Sequence, residues 1–147
     1  MARRQISVSK KWHALNAQLR KQYGVDLAGE KATAAEIAAK TPTGIIFSGG
    51  PDSVHADGAI AIDPAVYDLD IPILGICYGA QLIAQQNGGT VGRTDRGEYG
   101  RTVLTVEGDG GTLLSGTPAQ QNVWMSHFDA ITVPPDGVTP VSYTHLR

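Results

Sequence analysis

The stretch IPILGICYGAQLIAQQNGG, residues 71–89, constrains the fold of this chain more than any other. An apolar run of strand length, Ile71 to Cys77, passes without a linker into YGAQLIAQQ, a segment of helical length that Gly88-Gly89 closes. A strand that is apolar at successive positions needs cover on both faces, which is the condition of a parallel sheet packed by helices. GIIFS, at 44–48, is a second run of the same kind.

Helix signals stand before and between the two runs. Thr33 and Glu36 have capping-box spacing at the start of TAAEIAAK, and Asp63-Pro64 supplies an N-cap and a first-turn proline for PAVYDL. Trp12, Leu15, Leu19 and Tyr23 recur at helical spacing, and Gly24 is placed to close that helix. Helix, strand, helix, strand, helix predicts an α/β unit around a mostly parallel sheet. After Gly89 the pattern changes: RTVLTVE, QNVWMS, DAITVP and VTPVSY predict short strands, with a turn signal in PPDG at 134–137.

Length and composition set limits on function. A chain of 147 residues is long enough for one domain with a sizeable core. No apolar run reaches the roughly 18 residues of a membrane span, so no membrane role is expected. A lone cysteine makes no internal disulfide and fits a reducing, cytoplasmic setting. Residues 1–40 hold eight of the 12 Lys and Arg against three of the 14 acids. Those charges are spread out and carry no aromatic stacking pattern, so a solvated helix face is expected rather than a nucleic-acid site.

Cys77 ends the apolar strand, with Gly75 two residues before it and Gly79 two after. A lone Cys in an apolar run is ordinarily an inert packing residue. The paired glycines and the strand-to-helix junction shift the reading to a nucleophile elbow, where two backbones come too close for side chains. A helix N-terminus following the thiol presents N–H groups and a positive dipole end to a thiolate and to a developing oxyanion. Gln81, one helical turn on, is placed to face the same pocket.

GICYGAQLIAQQNGG, with GIIFSGGPDSV upstream and GEYGRTVL and VWMSHFDAI downstream, resembles the class I glutamine amidotransferase domain of the GMP synthase family. The likeness spans residues 33–139. It implies a flavodoxin-like three-layer sandwich, incomplete at both ends, with the antiparallel strands falling after residue 100. It also implies Cys77 as the nucleophile on the side-chain amide of glutamine, and the backbone N–H groups of Gly50 and Tyr78 as the oxyanion hole. Gln81, the backbone at Ser126 and His127, and Asp129 would hold the substrate. Phe128 stands where the family commonly has glycine. The resemblance places ATP and magnesium in a separate ATP-pyrophosphatase or synthetase part, which would be the partner, and implies no metal or cofactor in this chain.

Ser48-Gly49-Gly50-Pro51-Asp52-Ser53 also matches the phosphate loop of ATP pyrophosphatases. Such a loop cradles its ligand with successive N–H groups and enters a helix. Pro51 lacks one donor, and VHADGAIAIDP lacks helical spacing, so the oxyanion-loop reading is preferred. The base and carboxylate that serve the thiol lie, in the family, in an H-P-E segment. None of His13, His55, His127 and His145 precedes Pro-Glu. The expectation is therefore a fragment carrying the nucleophile half of the site, or else a non-catalytic domain of the same fold that binds glutamine or a partner. Residues 1–32 diverge from the family and suggest a missing central strand with an unpaired sheet edge. Residues 140–147 resemble adapter-derived sequence and are assigned no role.

Overall fold

The computed structural model describes residues 17–18, 20–25, 31–50 and 53–144, the side chains of 94–96 excepted. Trp12, Leu15 and Leu19 of the first expected helix lie outside that set. Residues 20–23 are helical, Gly24 adopts φ 68° and its N–H donates to the Arg20 carbonyl at 3.0 Å, while Tyr23 is exposed.

Helix α1 (Ala34–Ala38) begins at the expected capping box: the Thr33 hydroxyl accepts from the Glu36 N–H, and the Glu36 carboxylate accepts from the Thr33 N–H at 2.8 Å. Two parallel strands follow, β1 (Ile45–Phe47) and β2 (Ile73–Gly75), paired Ile45 to Ile73 and Phe47 to Gly75. Between them Pro64–Leu69 forms a 3₁₀ helix capped by Asp63. The Asp63 carboxylate accepts from Ala65 N–H with one oxygen and from Ala34 N–H with the other, so one side chain ties two helix starts together. Helix α2 (Tyr78–Gln86) leaves β2 through Cys77 and ends before Gly88, whose φ is 87°.

Val54, Tyr78, Leu82, Ala84 and Val91 form the core against which Ile60 and Ile62 pack. Apolar continuity in the two strands predicted cover on both faces. The opposite face is open instead: Ile46 is 62% exposed, Ile76 50% and Leu74 36%. Alternation places these three on the side away from α2, which packs against Phe47 and Gly75.

The antiparallel part is longer-stranded than its sequence suggested. Strand β3 runs Thr90–Val106, starting directly after the α2 stop, and QNVWMS and DAITVP form one strand, β4 (Gln120–Val133). Period-two burial continues through His127 and Phe128, so nothing breaks the strand between the two segments. A short helix, α3 (Gly111–Leu114), joins them. Of the expected VTPVSY strand only β5 (Ser142–Tyr143) forms, and it pairs with β3 at Thr105 and Val106, so the terminal segment adds a third strand to this sheet. PPDG turns as expected, with Val138 N–H donating to the Pro135 carbonyl. Among the described residues no helix is long and apolar enough to cross a membrane.

Candidate active site

Cys77 has φ 53° and ψ −114°, a backbone state ordinarily left to glycine. The chain needs it to turn from the end of β2 into α2 within one residue. Strain held at the one residue that carries a thiol is the mark of a nucleophile elbow. The side chain is exposed rather than packed, which removes the inert-core reading.

The neighbouring glycines are sterically required. A Cβ on Gly79 would lie 2.1 Å from the Phe47 carbonyl oxygen, and one on Gly75 would lie 2.7 Å from the Ala80 backbone. Both glycines therefore let α2 press onto β1 and β2, which fixes where the thiol emerges. Its upstream wall is the loop after β1. A Cβ on Gly49 would stand 3.3 Å from the Cys77 Cβ and 3.8 Å from Sγ, and one on Gly50 3.8 Å from the Tyr78 ring. Loop and helix start are thus adjacent, as two oxyanion donors on Gly50 and Tyr78 require. Tyr78, first in the helix, has no carbonyl one turn back to take its N–H. The following loop enters turns at Val54–Gly58 rather than a helix; Pro51 and Asp52 lie outside the described residues.

Asp129 gathers three segments, the loop after β1, α2 and β4. Its backbone carbonyl accepts from Gln81 Nε2 at 2.7 Å and from His127 Nδ1 at 3.0 Å, and its carboxylate accepts from the Ser53 hydroxyl at 2.5 Å. The Ser53 hydroxyl accepts in turn from His55 N–H, while His55 Nε2 lies 2.8 Å from the Val91 carbonyl. Gln81 is buried, and its amide N–H is committed to the hairpin. Ser126 stands on the exposed side of β4, consistent with a backbone rather than side-chain contribution. Phe128, in the glycine position, lies beneath the Arg93 guanidinium, 4.7 Å from its ring centroid.

Two residues that were not singled out in the sequence belong to this constellation. Ser53 sits in the glycine loop but bonds a residue 76 positions away. Glu98, in the GEYG segment, is 2% exposed and pairs with His127 Nε2 at 3.0 Å. Only its inclusion in a recognisable motif hinted at importance; its partner was not legible.

The chain resembles known proteins over most of its length. The family model described as glutamine amidotransferase class-I matches residues 8–145. GMP synthase [glutamine-hydrolyzing] of Nocardia farcinica is 56% identical over 106 residues, covering 72% of this chain and 20% of the relative. The protein of the same name from Bacillus cereus is 46% identical over 134 residues, covering 90% of this chain and 26% of the relative. The chain therefore spans about a fifth to a quarter of the length of these relatives. Among solved structures, a protein of Thermoplasma acidophilum described as one subunit of a GMP synthase superposes with TM-score 0.70 at 26% identity, over 92% of this chain and 68% of that one. A glutamine amidotransferase of Thermotoga maritima shares the fold, with TM-score 0.61 at 23% identity over 71% of this chain and 48% of that one.

Proposed function

This chain belongs to the class I glutamine amidotransferases, and on that footing we propose that it carries the nucleophile half of a glutaminase site serving GMP synthesis. The observation that carries the reading is Cys77 held at φ 53° at the N-terminus of α2, beside the Gly49-Gly50 loop. The Cys77 thiolate attacks the side-chain carbonyl carbon of glutamine, and the oxyanion that forms lies between the N–H groups of Gly50 and Tyr78. Ammonia leaves with a proton from a general acid, giving a γ-glutamyl thioester that water opens to glutamate. The released ammonia aminates xanthosine monophosphate in a synthetase part that uses ATP and magnesium. The names of the relatives, and a matched region that is only a fifth to a quarter of their length, support this. The setting is cytoplasmic, with glutamine and that synthetase part as partners.

These 147 residues contain no H-P-E segment, and that favours a second statement: the chain by itself is without significant turnover. Helix-dipole assistance of about 0.3–1 kcal/mol does not replace a general acid for departing ammonia. Ammonia release from glutamine by the 147-residue chain, compared with the chain extended by the family's H-P-E strand, tests both. Turnover only in the extended form, abolished by Cys77→Ala, is expected. Turnover in the short form that His127→Ala abolishes would put the base on His127 and overturn the second statement. No turnover in a folded extended form would overturn the first.

A further inference from the structure

The antiparallel ladder is irregular where the proposed substrate segment sits. Arg93 pairs with Asp129 and Glu98 with His127, so residues 94–97 of β3 stand against Phe128 alone on β4. The ladder is thus interrupted at Phe128, between two paired positions. Side chains meet across the strands beside the interruption. Glu98 stands directly opposite His127, and the imidazole bridges the Glu98 carboxylate on one strand to the Asp129 carbonyl on the other, at 3.0 Å on each side. Gly97 makes room for this, since a Cβ there would lie 2.5 Å from the Tyr99 ring and 3.1 Å from the His127 carbonyl oxygen.

A backbone carbonyl only accepts, so Nδ1 carries a hydrogen and donates to Asp129. Nε2 then faces a Glu98 carboxylate oxygen at 3.0 Å, an ion-pair distance, on a residue only 2% exposed to solvent.

We propose that Glu98 is a positioning residue for the amino-acid end of the site, locking His127 so that the 126–129 backbone is held ready for the substrate's charged groups. This rests on the reading of that backbone as a glutamine-binding segment. GEYG and WMSH then act as one clamp, joined by a side-chain contact next to the break in the ladder.

The test uses the 147-residue chain and 6-diazo-5-oxo-L-norleucine, a glutamine-shaped electrophile, with the saturation constant and the limiting rate of Cys77 labelling measured separately. Glu98→Ala and the shape-filling Glu98→Leu should each raise the saturation constant about tenfold while leaving the limiting rate within about twofold. Glu98→Gln should recover near-wild-type saturation, because a carboxamide can turn to donate to or accept from Nε2. Nitrogen NMR of wild-type His127 should show Nδ1 protonated and Nε2 either protonated or accepting a hydrogen bond. Unchanged saturation in a folded Glu98→Leu variant, or an Nε2 without a hydrogen bond, would overturn the lock while leaving the glutamine site standing. Wild-type labelling that neither saturates nor is slowed by glutamine would overturn both.

Discussion

The side-chain amide of Gln81 donates to the backbone carbonyl of Asp129 at 2.7 Å, joining the helix that carries the thiol to the strand that faces it. The bond spans 48 residues of sequence and is closed to most solvent. It ties α2 to the hairpin, and so couples the nucleophile's position to that of the proposed substrate segment.

Replacing Gln81 separates donation from shape. Gln81→Met keeps volume and loses one hydrogen bond, at a cost of about 1 kcal/mol. Gln81→Glu puts an acceptor against the carbonyl and should cost about 1–3 kcal/mol at neutral pH. Urea unfolding of both variants ranks them; equal stability would mean that the amide does not tie α2 to the hairpin.

Cys77 stores strain that only glycine would relieve. A non-glycine residue in such a region costs about 1–3 kcal/mol, and glycine returns about 0.5–1 kcal/mol of that through the greater freedom of its unfolded chain. Cys77→Gly should therefore be more stable than wild type by about 1 kcal/mol, whereas Cys77→Ala should not. Denaturant midpoints check this, and a destabilised glycine variant would contradict the strained turn.

Gly79 and Gly50 should fail differently. Gly79→Ala forces a methyl group onto the Phe47 carbonyl, and Gly79→Val should unfold the chain, since α2 must lift off the sheet. Around Gly50 there is room for a side chain, so Gly50→Ala should fold normally. Gly50→Pro removes the N–H and should depress glutamine hydrolysis about a hundredfold or more in the H-P-E-extended chain. Circular dichroism on the first pair and ammonia release on the second distinguish the two roles.

The Tyr78 hydroxyl is buried with no hydrogen-bond partner among the described residues. An unmet hydroxyl costs more than its absence, so Tyr78→Phe should raise stability by about 1 kcal/mol. Its expected contribution to the site is backbone, and labelling of Cys77 should be unchanged. Slower labelling in the phenylalanine variant would give the hydroxyl a role of its own.

At α1, the Thr33 N–H and hydroxyl bonds hold the Glu36 carboxyl below its ordinary range, with the backbone bond the larger cause. A lowered folded value means stability present above the unfolded value and lost as pH falls through the folded one. Acid should thus loosen the start of α1. Thr33→Ala keeps the backbone donor, so it should raise the Glu36 titration, followed by carboxyl NMR shifts, only part of the way towards that of an ordinary glutamate, while Thr33→Pro, which lacks the N–H, should raise it further. A titration unmoved by either substitution would place the cause elsewhere.

The elements and the elbow were legible in the sequence because their causes are local. Apolar runs at 44–48 and 71–77 demanded strands, Thr33 with Glu36 and Asp63 with Pro64 marked helix starts, and Gly75 and Gly79 around Cys77 announced two backbones in near contact. Each acts within a few residues, through sterics or a single hydrogen bond. The open face at Ile46, Leu74 and Ile76 was not legible, because an apolar strand states a need for cover and not whether cover is present.

Only the tertiary structure decided what surrounds the thiol. Ser53 with Asp129, Gln81 with Asp129 and Glu98 with His127 are pairings across distant segments, set by the register of β3 against β4. That register turns on the irregularity between Arg93 and Glu98, and a slip of one residue would carry His127 to the opposite face. Sequence fixes where a strand bends locally; which side chain then meets which is a property of two strands at once.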